Sequence, residues 1–387
     1  MNDFKLSAAD TTRLQTLLDT VANGTAGFLG YPVSKDFDYS PLMPFLQYPL
    51  NNLGDPFIPS TYAVGSRDLE KEVVAFFAQL FRAPANDWWG YVTNGGSEGN
   101  LYALYLAREL YPKAMVYYSA ATHYSVQKNI HLLNMPAIVV RTQDNGEMDY
   151  DDLENTISMN RQLPVIILAN IGTTMTEARD DVKRIREILD KTAIRQFYIH
   201  ADGALSGSYS GFLENRPAFD FADGAHSIAI SGHKFIGSPV PCGVVIAHKS
   251  YRDRIARSVA YIGTMDTTIT GSRNGHSPLF LWYALKRYGI EGMRARAMAA
   301  LEVAAYATSR LREIGVAAWR NPDTLTVVFP EPPASIRNKW QLASENGWSH
   351  IICMPGVTKA LIDTFIHEME TAMPEAPQEQ LYNMSFV

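Results

Sequence analysis

A chain of 387 residues exceeds one typical domain, and with 47% hydrophobic and 19% charged residues it can bury a large core and lacks the composition of a disordered chain. Its 34 basic and 40 acidic side chains give a net charge of -6 with no Lys/Arg block, which argues against nucleic acid or an anionic membrane as partner. Cys242 and Cys353 are too few for a disulfide framework and lack metal-ligand spacing. With no leader-like opening at Met1 to Lys5 and no run near the ~18 apolar residues of a membrane span, a reducing cytoplasm is the expected compartment.

The first sixty residues predict an N-terminal arm (1–60): a helical opening, then a Pro/Gly/Asn-rich, aromatic passage from Tyr31 to Ser60. Such an arm packs on a partner or over a site more readily than it folds alone. Seven short apolar or β-branched runs follow, at Trp89 to Thr93, Met115 to Tyr118, Ala137 to Val140, Val165 to Ala169, Phe197 to Ala201, Ser227 to Ser231 and Gly243 to Ala247. Several are almost continuously hydrophobic, and the stretches between them, such as Asn100 to Tyr111 and Asp181 to Asp190, have helical periodicity. The expected fold class is therefore α/β, with a mostly parallel seven-stranded sheet in a large domain spanning 61–275. Beyond Asn274-Gly275 the pattern changes to long helical stretches (Pro278 to Tyr288, Gly292 to Ile314) and two strand-like runs, Leu325 to Phe329 and Ile351 to Met354. These predict a smaller C-terminal α+β domain over 276–387.

The chemistry gathers where strands end. Gly95-Gly96-Ser97 lies between a strand and a helix, where glycine backbone and unpaired helix-start N–H groups suit a phosphate. His123 follows the next strand and can stack on a flat ring; Asn170 and Thr173 follow another and suit a phenolic oxygen. Asp202 and Ala204 close a fourth, and Ser231, His233 and Lys234 close a fifth. Singly, each has a plain reading as a tight turn, a satisfied loop residue or a solvated lysine. Together they fit pyridoxal phosphate: Lys234 to hold its aldehyde as a Schiff base, and Asp202, about thirty residues earlier, to keep the pyridine nitrogen protonated. His200 and Asp202 share a strand face, but no third ligand follows and HExxH is absent, so no metal is expected.

The tracts Gly90 to Gly96, Thr122 to Val126, Asn170 to Thr174, Ser231 to Pro239, Pro241 to Gly243 and Gly271 to His276 resemble the group II pyridoxal-phosphate-dependent amino-acid decarboxylases of fold type I. Within these the chain is similar to the short subgroup containing bacterial histidine decarboxylases and plant serine decarboxylases. The resemblance implies a homodimer with the active site at the subunit interface, Lys234 as Schiff-base lysine, Asp202 at the pyridine nitrogen, His123 over the ring, and Gly96, Ser97, Ser231 and His233 at the phosphate. The Gly- and Thr-rich segment from Tyr261 to Ser272 becomes a closing loop, with Tyr261 as candidate proton donor beside His123. Asn51 to Ile58, Tyr62, Ser66-Arg67 and Lys339 to Ala343 resemble the serine enzymes, making serine-to-ethanolamine the expected reaction and Asp55, Tyr62 and Arg273 the substrate candidates. Gly65, where plant enzymes tend to carry histidine, keeps histidine-to-histamine open as the alternative, with alanine or a less common amino acid behind it. A lyase or aminotransferase on the same scaffold would use Arg273 for a retained carboxylate.

Overall fold

The computed structural model describes residues 6–59, 61–259 and 264–372. Before the sheet come helix α1 (Ala8–Ala26), a 3-10 segment (Ser40–Gln47) and α2 (Arg67–Leu80). Then strands and helices alternate: β1 (Trp89–Thr93), α3 (Gly96–Leu110), β2 (Met115–Ser119), α4 (Tyr124–Leu132), β3 (Ala137–Val140), α5 (Tyr150–Met159), β4 (Val165–Asn170), α6 (Val182–Lys191) and β5 (Phe197–Asp202). A short α7 (Gly207–Ser210), β6 (Ser227–Ser231), β7 (Gly243–Ala247), a short α8 (Lys249–Arg252) and the ribbon β8 (Arg257–Val259) and β9 (Thr264–Asp266) complete this part.

The seven predicted runs are the seven strands of one sheet, in the order β1-β7-β6-β5-β4-β2-β3. Their apolar continuity has the expected cause, since helices cover both faces and β4 is buried along its whole length. Five strands run parallel from β6 to β3, whereas β7 lies antiparallel between β6 and β1. The register sets Gly243 opposite both Thr93 and Ser231, so β1 points the same way as β6. The carboxyl ends of β1, β2, β4, β5 and β6 therefore share one edge.

Beyond the sheet lie α9 (His276–Glu313), β10 (Thr326–Pro330), α10 (Ala334–Trp340), β11 (Ser344–Glu345), β12 (Trp348–Ile352) and α11 (Lys359–Ala372). The two predicted helical stretches meet as α9 across a kink at Gly289, whose φ of 60° is outside the helical range. The first half of α9 packs Leu281, Ala284, Leu285 and Met293 into the main sheet core. Its last turns place Ala304, Ala307 and Leu311 in a second core with Val327, Phe329, Ile351 and Phe365. β12 starts three residues earlier than its apolar run implies, because Trp348 and His350 pair with Pro330 and Val328 of β10 despite their polar neighbours.

The arm has two characters. From Leu29 onward it packs on its own chain: Leu29 enters the second core, Tyr39 and Leu42 pack on Leu279 and Phe280, and Asp36 pairs with Arg296 at 2.6 Å. By contrast α1 buries none of its residues and exposes Leu14, Leu17, Leu18 and Val21.

Glu177, fully buried, joins the two lobes. Its carboxylate accepts hydrogen bonds from Ser206 Oγ (2.7 Å) and the Tyr209 hydroxyl on one side, and from Leu325 N (2.9 Å), Thr326 N (2.8 Å) and Thr326 Oγ1 (2.6 Å) on the other. Glu177→Ala strands these buried donors, so a loss of about 3 kcal/mol or more is expected in urea unfolding. A midpoint within error of wild type would show that the lobes need no such tie.

Candidate active site

Sequence places polar residues where each strand stops, and the common edge brings them together. A Cβ on Gly96 would meet Ser231 Oγ at 2.9 Å and Ala204 Cβ at 3.0 Å, so the start of α3 stands directly against the ends of β5 and β6. Only glycine permits that approach. Gly95, at φ 150°, turns the chain into the helix, and Ser97 is exposed with its carbonyl held by Asn129 Nδ2 at 2.8 Å. The first-turn N–H groups of α3 have no carbonyl partner within the helix, which makes this corner suited to a phosphate.

Asp202 is buried at the end of β5. Its Oδ1 accepts from Ala204 N at 3.1 Å and its Oδ2 from Asn100 Nδ2 at 2.7 Å. Lys234, three residues past β6, is partly buried, and its ammonium forms no ion pair with the described residues. Desolvation lowers the Lys234 pKa, with the Asp202 and Glu177 charges opposing the shift. An amine so placed gives up its proton more readily than one in water, as a Schiff-base nucleophile must. Desolvation also lowers the His123 pKa, Asp202 raising it and Lys234 lowering it further, so His123 senses both groups. Its Nδ1 is paired with Ser125 Oγ at 2.8 Å at the start of α4.

The remaining cofactor candidates are at the same edge with their own partners. Asn170 Nδ2 donates to Ser119 Oγ (3.0 Å), Thr122 Oγ1 (3.1 Å) and Asp180 Oδ2 (3.0 Å), tying the ends of β2 and β4. Thr173 Oγ1 accepts from Ala178 N at 3.0 Å and pairs with Thr176, closing the loop after β4. His233 Nδ1 donates to the Cys242 carbonyl at 3.0 Å, and burial lowers its pKa.

The three substrate candidates do not join this group. Asp55 is fully buried and accepts from Trp89 Nε1 (2.9 Å), Thr267 Oγ1 (2.8 Å) and Phe57 N (2.8 Å), with Arg252 at 3.4 Å. Arg273 is buried against Glu70, which also accepts from Asn52 Nδ2 (2.7 Å) and Val92 N (2.9 Å). Desolved charges without partners are unstable, so each is consumed by the scaffold around the arm. Tyr62, 40% exposed, opens on a separate cleft of about 430 Å³ lined by Phe45, Arg67, Lys71 and Leu279. Tyr261 lies outside the described residues.

Two residues behind Asp202 escaped sequence reasoning as site components: Asn100 and His200. Asn100 follows Gly96 by one helical turn and so shares its face, and His200 shares a strand face with Asp202. Those spacings were the available signal.

Lys234, Asp202 and His123 at the strand ends, with the glycine-lined corner at the start of α3, fit pyridoxal phosphate: a desolvated amine, a buried carboxylate and a corner that a Cβ would fill. The conserved domain of pyridoxal-dependent decarboxylases matches residues 61–317. Over 361 residues the chain is 50% identical to a histidine decarboxylase of Mesorhizobium japonicum, covering 93% of this chain and 98% of that one. It is 48% identical over 349 residues to a histidine decarboxylase of Acinetobacter baumannii, covering 90% and 91%. The solved L-methionine decarboxylase of Streptomyces sp. 590 superposes with a TM-score of 0.86 at 27% identity, covering 96% of both chains. The chain belongs to the pyridoxal-dependent decarboxylase family, and it is a pyridoxal-phosphate-dependent amino-acid decarboxylase.

Proposed function

We propose that the substrate is L-histidine and the products histamine and carbon dioxide. The observation that supports this most strongly is the 50% identity, along nearly the whole of both chains, to the Mesorhizobium histidine decarboxylase. The serine expectation drew on two tracts, and both have architectural work. In the first, Asn52, Asp55 and Arg67 bind Glu70, Trp89 and the Leu53 and Ile58 carbonyls. In the second, Trp340 is buried and donates to Glu368 at 3.0 Å, and Lys339 pairs with the same carboxylate. Likeness in scaffold residues speaks to ancestry and says little about the pocket. Arg273, held by Glu70, likewise removes the support for a lyase or aminotransferase that retains a carboxylate.

In this reading pyridoxal phosphate, when bound, supplies the electron sink for the pair of electrons left as carbon dioxide departs. Lys234 would hold the cofactor through its aldehyde. Gly95, Gly96, Ser97, Ser231 and His233 would hold the phosphate, while Asn170 and Thr173 brace the loop edge at the end of β4. Asp202 would keep the ring nitrogen protonated, Ala204 would leave room for the ring, and His123 would offer its imidazole for stacking. Tyr261 or His123 returns a proton to the α-carbon.

A second copy of the chain is the inferred partner, docking on α1, since a soluble monomer rarely leaves an apolar row such as Leu14, Leu17, Leu18 and Val21 uncovered. The two buried free cysteines are consistent with a cytoplasmic location. Purified protein with pyridoxal phosphate, offered each common L-amino acid, is expected to yield histamine as the dominant amine with equimolar carbon dioxide. Dominant ethanolamine would return the assignment to serine.

A further inference from the structure

Behind Asp202 runs a buried hydrogen-bonded chain that leads away from the site through the sheet. Asn100 Nδ2 donates to Asp202 Oδ2 at 2.7 Å, Asn100 Oδ1 meets His200 Nε2 at 2.9 Å, and His200 Nδ1 meets Ser227 Oγ at 2.8 Å. Asn100, His200 and Ser227 are each at most 1% exposed. They come from α3, β5 and the start of β6, where the register sets His200 opposite Ser227.

Chemistry fixes the direction of every bond in this chain. An ionised carboxylate only accepts, so Asn100 must turn its NH2 toward Asp202 and its oxygen toward His200. His200 must then carry its proton on Nε2, leaving Nδ1 to accept from the Ser227 hydroxyl. Burial pushes the His200 pKa down to about 4, so the ring is neutral at physiological pH. All donors thus point at Asp202, and such aligned bonds polarise one another. A cation in the same place would orient the carboxylate equally well, but it would draw off the negative charge that has to hold the ring proton. A neutral relay orients the carboxylate and leaves its charge available.

We propose that Asn100 and His200 are positioning residues that fix the plane of the Asp202 carboxylate, and through it the protonation of the cofactor ring nitrogen. The inference rests on reading Asp202 as the partner of that nitrogen.

The test compares Asn100→Leu, His200→Phe and His200→Gln, each checked for wild-type circular dichroism and melting temperature. Asn100→Leu and His200→Phe are expected to lower kcat about 10- to 100-fold, the range for outer-shell partners, with KM for the amino acid changed less than about threefold. The apoprotein variants should bind pyridoxal phosphate about tenfold more weakly by fluorescence titration, and the pH titration of the bound cofactor's visible band should shift. Glutamine can still present an N–H to Asn100, so His200→Gln should recover most of the loss. In wild-type apoprotein, 15N NMR of the His200 ring should show the neutral Nε2–H form from about pH 5 to 8.

Wild-type kcat, cofactor affinity and band titration in folded Asn100→Leu and His200→Phe would overturn the proposal, as would a His200→Gln variant no better than His200→Phe. If the variants fail to fold, an Nδ1–H tautomer in wild-type apoprotein would overturn it alone. Full activity in Asp202→Asn would instead overturn the underlying assignment of Asp202.

Discussion

Lys234→Ala is expected to release no amine product above the no-enzyme rate, a loss of about 10⁴-fold or more, because among the described residues no other lysine follows the carboxyl ends of β5 and β6 closely enough to hold the cofactor. The same variant should show no visible band that borohydride bleaches, although it can still bind the cofactor through the phosphate corner. Folding should survive. The Lys234 ammonium pairs with none of the described residues, and desolvation already disfavours its charged form, so its removal strands no buried partner. The experiment therefore separates chemistry from stability: an unchanged melting temperature with lost turnover identifies the Schiff-base lysine. Carbon dioxide release near the wild-type rate would sink the assignment.

Asp202→Ala is expected to lower kcat by about 10³-fold or more while leaving the visible band in place, since the cofactor can still be held by Lys234 but can no longer keep its ring nitrogen protonated. It also strands the buried donor Asn100 Nδ2 and the half-buried Ala204 N, so a stability loss of about 1–3 kcal/mol should accompany the kinetic one. Asp202→Asn is no gentle replacement. Ala204 N must still find an oxygen, so the new NH2 would face Asn100 and force that amide and the His200 tautomer behind it to invert, and the negative charge that holds the ring proton would be gone. A variant of either kind with kcat within about threefold of wild type would remove Asp202 from the pyridine nitrogen.

The sheet was legible because its signal is local. Each strand is a short apolar run closed by a polar turn, and a strand buried on both faces cannot look otherwise. The candidates for holding the cofactor stand out for the same reason: Asp202, Ser231 and Lys234 interrupt or follow those runs, and the fold brings their strand ends to one edge.

The rest depends on distance in sequence. Nothing local distinguishes a charge that awaits a ligand from one that has found a partner elsewhere in the chain. Arg273 meets Glu70 across 203 positions, and Asp55 meets Thr267 across 212. His200, weighed as a metal ligand from its spacing with Asp202, does share a face with it, but the link between them is the amide of Asn100, 100 residues away. The substrate was least legible of all, because the tracts most like the serine enzymes are those that hold the arm, α2 and α10 in place.

Helix α9 limits how this chain can be divided. Its first half covers the sheet and its last turns complete the smaller core. A fragment ending at residue 275 would leave the sheet without the cover of Leu281, Ala284, Leu285 and Met293, and the complementary fragment would display those same side chains to water. Split reporters, fusions or separately expressed halves are therefore better cut beyond Leu301, after the helix has finished with the sheet and before Ala304 begins the second core.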